Sequence, residues 1–148
     1  MKDITLKITG KTVTEDENQE AQEDVIEFVT EGKLYNRAGT TMITYPESEI
    51  SGFEGWTTYL AIKENKIKMR RSSEDSDMQT IMEFESGKRV NSTYHTPMGN
   101  IEMELLTNSI SPLAEDENGN SKLSIDYSVS LRGLMESRNT LDIEIYKN

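Results

Sequence analysis

From Leu123 to Arg132 the chain reads Leu-Ser-Ile-Asp-Tyr-Ser-Val-Ser-Leu-Arg, apolar or aromatic at each odd position and polar at each even one. A helix would scatter those apolar residues around its circumference. A strand collects them on one face, so this segment is predicted to be a strand with one side in a core and the other in water. The same period runs through Ile4-Thr5-Leu6-Lys7-Ile8, Ile101-Glu102-Met103-Glu104-Leu105 and Leu141-Asp142-Ile143-Glu144-Ile145. Weaker alternation marks Val25 to Val29, Met42 to Tyr45, Tyr59 to Ile62, Ile67 to Arg71 and Met78 to Phe84. About nine strands are therefore expected, within a range of eight to ten.

Turn chemistry separates these segments at short spacing: Glu31-Gly32, Ala38-Gly39, Glu64-Asn65, Ser86-Gly87, Pro97-Met98-Gly99 and Asn118-Gly119. Short strands on short turns pair antiparallel, and Asn-Gly in particular tolerates the positive φ of a tight hairpin. No segment has helical periodicity. Thr14 to Asp24 carries six carboxylates without an apolar stripe, so it is expected to be a long acidic connection after the first strand. With no internal repeat and no break in composition, residues 1–148 read as one all-β domain. Hairpin-short links favour a mainly up-and-down antiparallel barrel over a Greek-key sandwich, which needs long returns.

Leu, Ile, Val and Phe supply only 31 of the 148 residues, enough for one core and little more. The net charge is −11, which disfavours nucleic acid and anionic membranes as partners. The opening Met1 to Gly10 lacks the apolar run of an export signal, and no stretch approaches the roughly 18 apolar residues of a membrane span. A soluble, cytoplasmic protein is expected. The absence of cysteine removes disulfides, thiolate catalysis and cysteine-based zinc sites.

Phe84-Glu85-Ser86-Gly87, then Tyr94-His95-Thr96-Pro97-Met98-Gly99 and Ile101 to Leu105, resemble the uncharacterised bacterial family of the YwiB type, the DUF1934 family. Met69-Arg70, Ile125-Asp126-Tyr127 and Asn139-Thr140-Leu141 support the resemblance, which spans nearly the whole chain. It implies a calycin-like, lipocalin-like β-barrel found in Firmicutes, with no assigned activity and no catalytic residues to transfer. The shared Tyr94 to Gly99 motif has a structural reading of its own. Pro97 fixes φ and extends Thr96, and Gly99 frees the backbone at the end of a hairpin.

Candidate chemistry is sparse. His95 is the lone histidine; beside a turn, it reads as solvated rather than catalytic. Asp116 to Asn120 faintly imitates a calcium loop, but its sixth position is Ser121 where glycine is needed and its twelfth is Tyr127 where a bidentate glutamate is needed. No catalytic residue, metal site or cofactor is assigned. Basic residues gather at Lys63, Lys66, Lys68, Arg70, Arg71, Lys88 and Arg89. Strand parity puts Arg71 with Ile67 and Met69 on the apolar face, unless a bulge hands that role to Arg70. An inward arginine must meet either an internal carboxylate or an anionic ligand. Five strand methionines, Met42, Met69, Met78, Met82 and Met103, would give adaptable walls, and Trp56 follows Gly52 and Gly55 where it could lid a barrel mouth.

Two functions follow. In the first, a non-enzymatic barrel binds a small, partly apolar anion through Arg70 or Arg71, with Tyr94 and Trp56 beside it. In the second, the barrel core is filled, and an open edge strand or the acidic connection engages a basic protein partner.

Overall fold

The computed structural model describes residues 1–15, 21–51, 53–73, 79–96, 99–131 and 135–147; for residues 15, 94–96 and 99 only the backbone is described. Ten strands form: β1 (Lys2–Glu15), β2 (Ala21–Arg37), β3 (Thr40–Pro46), β4 (Trp56–Lys63), β5 (Lys66–Ser73), β6 (Gln79–Glu85), β7 (Arg89–Thr96), β8 (Gly99–Glu115), β9 (Ser121–Leu131) and β10 (Met135–Lys147). A 3-10 turn at Glu49–Ser51 lies between β3 and β4. All pairings are antiparallel, and the strand order is β6-β5-β4-β3-β2-β1-β10-β9-β8-β7.

Two meanders thus run outward from a central junction, where the first strand pairs with the last from Ile4↔Lys147 to Glu15↔Glu136. The free ends of the sheet are β6 and β7, neighbours in sequence, and the sheet curls until they meet in a nearly closed barrel. Thr107 ties their turn to β8. Its carbonyl accepts from Gly87 N at 2.8 Å, its amide donates to Lys88 O at 3.1 Å, and its hydroxyl accepts from Glu85 N at 3.3 Å. Farther along the seam, Ser92 Oγ donates to Ile81 O at 3.4 Å.

The alternation does what it predicts. Leu123, Ile125, Leu141, Ile143 and Ile145 point into one continuous core together with Leu6, Leu60, Ile67, Met69 and Phe84. Each such side chain contributes about 1.5–3 kcal/mol through burial. Met103 is buried as well and Met82 packs against the core, while Met78 and Gly52 lie outside the described residues.

Four sequence expectations change. The strand β7, too polar to show a pattern, adds a tenth member by pairing with β8 from Arg89↔Leu106 to Thr96↔Gly99. The acidic connection is shorter than 14–24, because β1 and β2 stay paired through Thr14↔Gln22 and Glu15↔Ala21. Opposite charges across that hairpin, Lys11 to Glu23 at 3.3 Å and Lys7 to Glu27 at 3.6 Å, offset part of the repulsion among its carboxylates. Glu31-Gly32 makes no turn. Gly32 lies inside β2, where a Cβ would sit 2.5 Å from Thr44 O and 2.8 Å from Leu6 Cδ1, so the glycine is there for close approach. Finally, β8 runs on to Glu115 across register shifts between Thr107 and Ser109 and between Ser111 and Ala114. The second shift accommodates Pro112, which has no N–H to give a ladder.

Candidate functional site

On β5, Ile67 and Met69 are buried, and Arg71 follows them onto the same face. Its Nε donates to Glu47 Oε1 at 3.4 Å; the glutamate side chain is 2% exposed and that of the arginine 21%. Glu47 continues the inward parity of Ile43 and Tyr45 one step beyond β3. Its amide donates to Trp56 O at 2.8 Å, which closes the intervening loop back onto β4. Thr58 Oγ1 donates to Oε1 at 2.5 Å, and Ser51 Oγ lies 2.9 Å from Oε2. A carboxylate this deeply buried is tolerable because its lone pairs are filled and its charge is met.

The pair controls its surroundings. Burial pushes the Tyr45 phenol far above its ordinary range, and the Glu47 charge pushes the same way while Arg71 opposes it. Tyr127 is likewise raised by burial and lowered in part by Arg71. Both phenols are therefore neutral at physiological pH. The Arg71 guanidinium carbon lies 4.7 Å from the centroid of Phe53, whose ring meets Trp56 edge-on at 5.7 Å. Phe84 and Tyr127 pack edge-on at 5.0 Å on the core side. Phe53 and Trp56 thus flank the ion pair at the Trp56↔Ser73 end of the β4–β5 ladder.

Of the four residues proposed from sequence, the structure brings Arg71 and Trp56 together through Phe53. Arg70 takes the opposite face, its Cζ 4.2 Å from the Tyr59 ring centroid across the β4–β5 pair. The backbone of Tyr94 pairs with Ile101, and its side chain lies outside the described residues, as does that of His95. Glu47 is the functional neighbour that the sequence reading did not single out.

Asp116, the first residue of the calcium-like stretch, accepts at its Oδ1 from the amides of Asn118 and Asn120, both at 2.9 Å, and so caps its own turn, with Gly119 at φ 80°. Among the described residues no three His, Asp or Glu side chains converge as a metal would require, and no helix is long and apolar enough to cross a membrane.

Two surface features stand apart from this ion pair. The first is an open strand edge. β2 pairs with β1 along its length but with β3 only from Lys33 to Arg37, so among the described residues Ala21 to Glu31 has a strand partner on one side alone, with the Glu49–Ser51 turn lying beside β2 and Thr30 Oγ1 donating to Pro46 O at 3.4 Å near its end. Its side chains include Glu23, Asp24, Glu27 and Glu31, with Val25 60% and Val29 65% exposed. The second is a cleft of about 340 Å³ whose lining includes Lys63, Lys66, Lys68 and Lys88 around Ala61, Ile67, Phe84 and Val90. Arg70, Arg71 and Trp56 line neither this cleft nor the larger ones of about 580, 430 and 420 Å³ elsewhere on the surface.

No curated protein matches the chain. The crystal structure of the ywiB protein from Bacillus subtilis matches it with a TM-score of 0.74 at 22% identity, over 99% of this chain and 93% of that one. That likeness establishes the shared fold. The model of a family described as a domain of unknown function, DUF1934, matches residues 7–143, and the chain belongs to that family.

Proposed function

We propose that the chain is a non-enzymatic, cytoplasmic protein-interaction module, and that the open edge of β2 accepts an extended, basic segment of a partner protein. The observation that carries this reading is the run from Ala21 to Glu31, whose backbone is bonded on one side only. An edge of that kind offers a row of N–H and C=O groups to an added strand. Its carboxylates select the partner. Two copies pairing edge to edge would face Glu23, Asp24 and Glu27 with their equivalents, so self-association is opposed, whereas a segment carrying Lys and an apolar residue in turn along one strand face meets both Glu23, Glu27 and Glu31 and the exposed Val25 and Val29, which share the outer face of β2. The barrel itself supports this choice over an internal ligand, since its interior is occupied by packed side chains and the inward Arg71 already has Glu47.

The test is an amide NMR titration with a seven-residue peptide whose one strand face reads Lys-Val-Lys-Val and whose other face is Thr, against a counterpart with Glu in place of Lys. The Lys peptide should shift the amides of Gln22 to Val29 saturably and weaken with salt, and Val25→Lys should abolish the effect. Equal binding of the Glu peptide, or shifts spread evenly over the barrel, would refute the reading.

A further inference from the structure

The lysine cleft lies on β4, β5 and β6, elements distinct from the β2 edge, and it inverts the charge of the molecule. Around it stand four ammonium groups and two carboxylates, Glu83 and Glu85, on a chain whose net charge is −11. The carboxylates leave part of that positive charge uncompensated. Glu85 is shared, 3.1 Å from Lys88 Nζ and 3.9 Å from Lys66 Nζ. Glu83 stands opposite Lys68 in the β5–β6 register, yet among the described residues neither Lys68 nor Lys63 makes an ion pair.

Strand pairing places these cations deliberately close. Lys63 faces Lys66 across the β4–β5 hairpin, and Lys66 faces Glu85 on β6. Lys68 faces Ala61, whose short side chain leaves the cleft its depth. Two like charges directly opposite each other are unfavourable in a sheet, and a bound anion would relieve that repulsion. Val90 comes from β7 across the seam and, with Ala61 on β4, gives the floor its apolar surface. The volume, about 340 Å³, is at the small end of ligand sites.

We propose that this cleft binds a small organic anion, with one carboxylate or phosphate group among Lys63, Lys66 and Lys68 and a short apolar arm over Ala61 and Val90. The ammonium groups supply the attraction, and the apolar floor distinguishes such a ligand from an inorganic ion. The acidic remainder of the surface repels anions elsewhere, which confines binding to this place.

Amide NMR titrations with octanoate, octyl phosphate, octanol and inorganic phosphate test the proposal on the intact chain. Octanoate, octyl phosphate or both should shift Lys66 to Lys68 and Glu83 to Glu85 saturably, and the tighter of the two identifies the head group. Octanol and inorganic phosphate should each bind at least about tenfold more weakly than that ligand, and the paired change K63Q/K68Q should weaken it by about tenfold with the remaining spectrum unchanged. Octanol binding as well as the anions, or an unaltered affinity in K63Q/K68Q, would overturn it. Those residues are remote from β2, so either outcome leaves the edge-strand reading to its own titration.

Discussion

Replacing Glu47 by Gln keeps the size of the buried side chain and deletes its charge. At 3.4 Å and an effective dielectric constant of about 20, the gross attraction between Glu47 and Arg71 is about 5 kcal/mol. Most of that is spent on desolvating the two groups, and removing one partner of a fully buried pair typically costs about 3–5 kcal/mol. Arg71 keeps 21% of its side-chain surface in contact with solvent, and water reaching it reduces the cost of Glu47→Gln to about 2 kcal/mol. For a chain of this length that is a fall in Tm of about 4–8 °C. Thr58 and Ser51 can still hydrogen-bond the amide, so packing and polar satisfaction change little. Arg71→Met should cost more, about 3 kcal/mol, because it strands Glu47, whose side chain is 2% exposed. The double variant E47Q/R71M strands neither charge and should be no less stable than Arg71→Met alone, a coupling of at least about 2 kcal/mol. Urea denaturation of the four proteins measures this cycle. Additive losses, or an E47Q protein within about 0.5 kcal/mol of the parent, would refute the claim that the two charges depend on each other.

Gly32→Ala should destabilise by about 3 kcal/mol, because Thr44 O and Leu6 Cδ1 lie within 3 Å of the new Cβ and one of them is backbone; a urea midpoint near that of the parent would contradict it. Of the six tyrosines, Tyr45 and Tyr127 should stay protonated well past the ordinary phenol value of about 10, as read by absorbance at about 295 nm. A phenol raised in the folded state contributes stability in full below the unfolded value of about 10 and loses it as pH climbs toward the folded value, so Tyr45→Phe should lessen alkaline unfolding. Arg138 holds the Asp126 carboxyl below its usual range, chiefly through its hydrogen bonds at 3.2 and 3.0 Å. That contribution is present above the ordinary carboxylate pKa and disappears as pH falls through the lowered one; Arg138→Gln should return Asp126 toward ordinary values in a carboxyl-carbon NMR titration.

Period-two alternation carried most of the architecture, because in a half-buried sheet the side-chain period and the burial period coincide. It placed Arg71 rather than Arg70 inside, and the structure agrees through the contact with Glu47. Glu47 obeyed the same parity as Ile43 and Tyr45, but a glutamate after Pro46 reads as the start of a loop, and nothing local signals that its counter-charge lies across the sheet. β7 was hidden for a related reason. Arg89, Asn91, Thr93 and His95 alternate with residues scarcely more apolar, so the strand is specified by β8 beside it rather than by its own pattern. The acidic hairpin end of β1 and β2 pairs because its register is already set by the buried stretch from Ile4 to Ile8. The lysine cleft combines three strands with a residue from across the seam, a convergence that only the closed sheet creates.

The junction of β1 with β10 has a consequence for how the chain matures. During synthesis the β1–β6 meander emerges first and the β7–β9 meander second, and neither contains the strand that joins them. Ile4 waits for Lys147 and Glu15 for Glu136, contacts separated by almost the whole chain, so closure is slow and comes at the end. A ribosome stalled before Met135 would hold a chain with β1 and β9 both bare along the sides that β10 later covers, two adhesive borders on one nascent polypeptide. The completed barrel is therefore a late product, and the interval before its final strand arrives is when the protein most needs protection by chaperones.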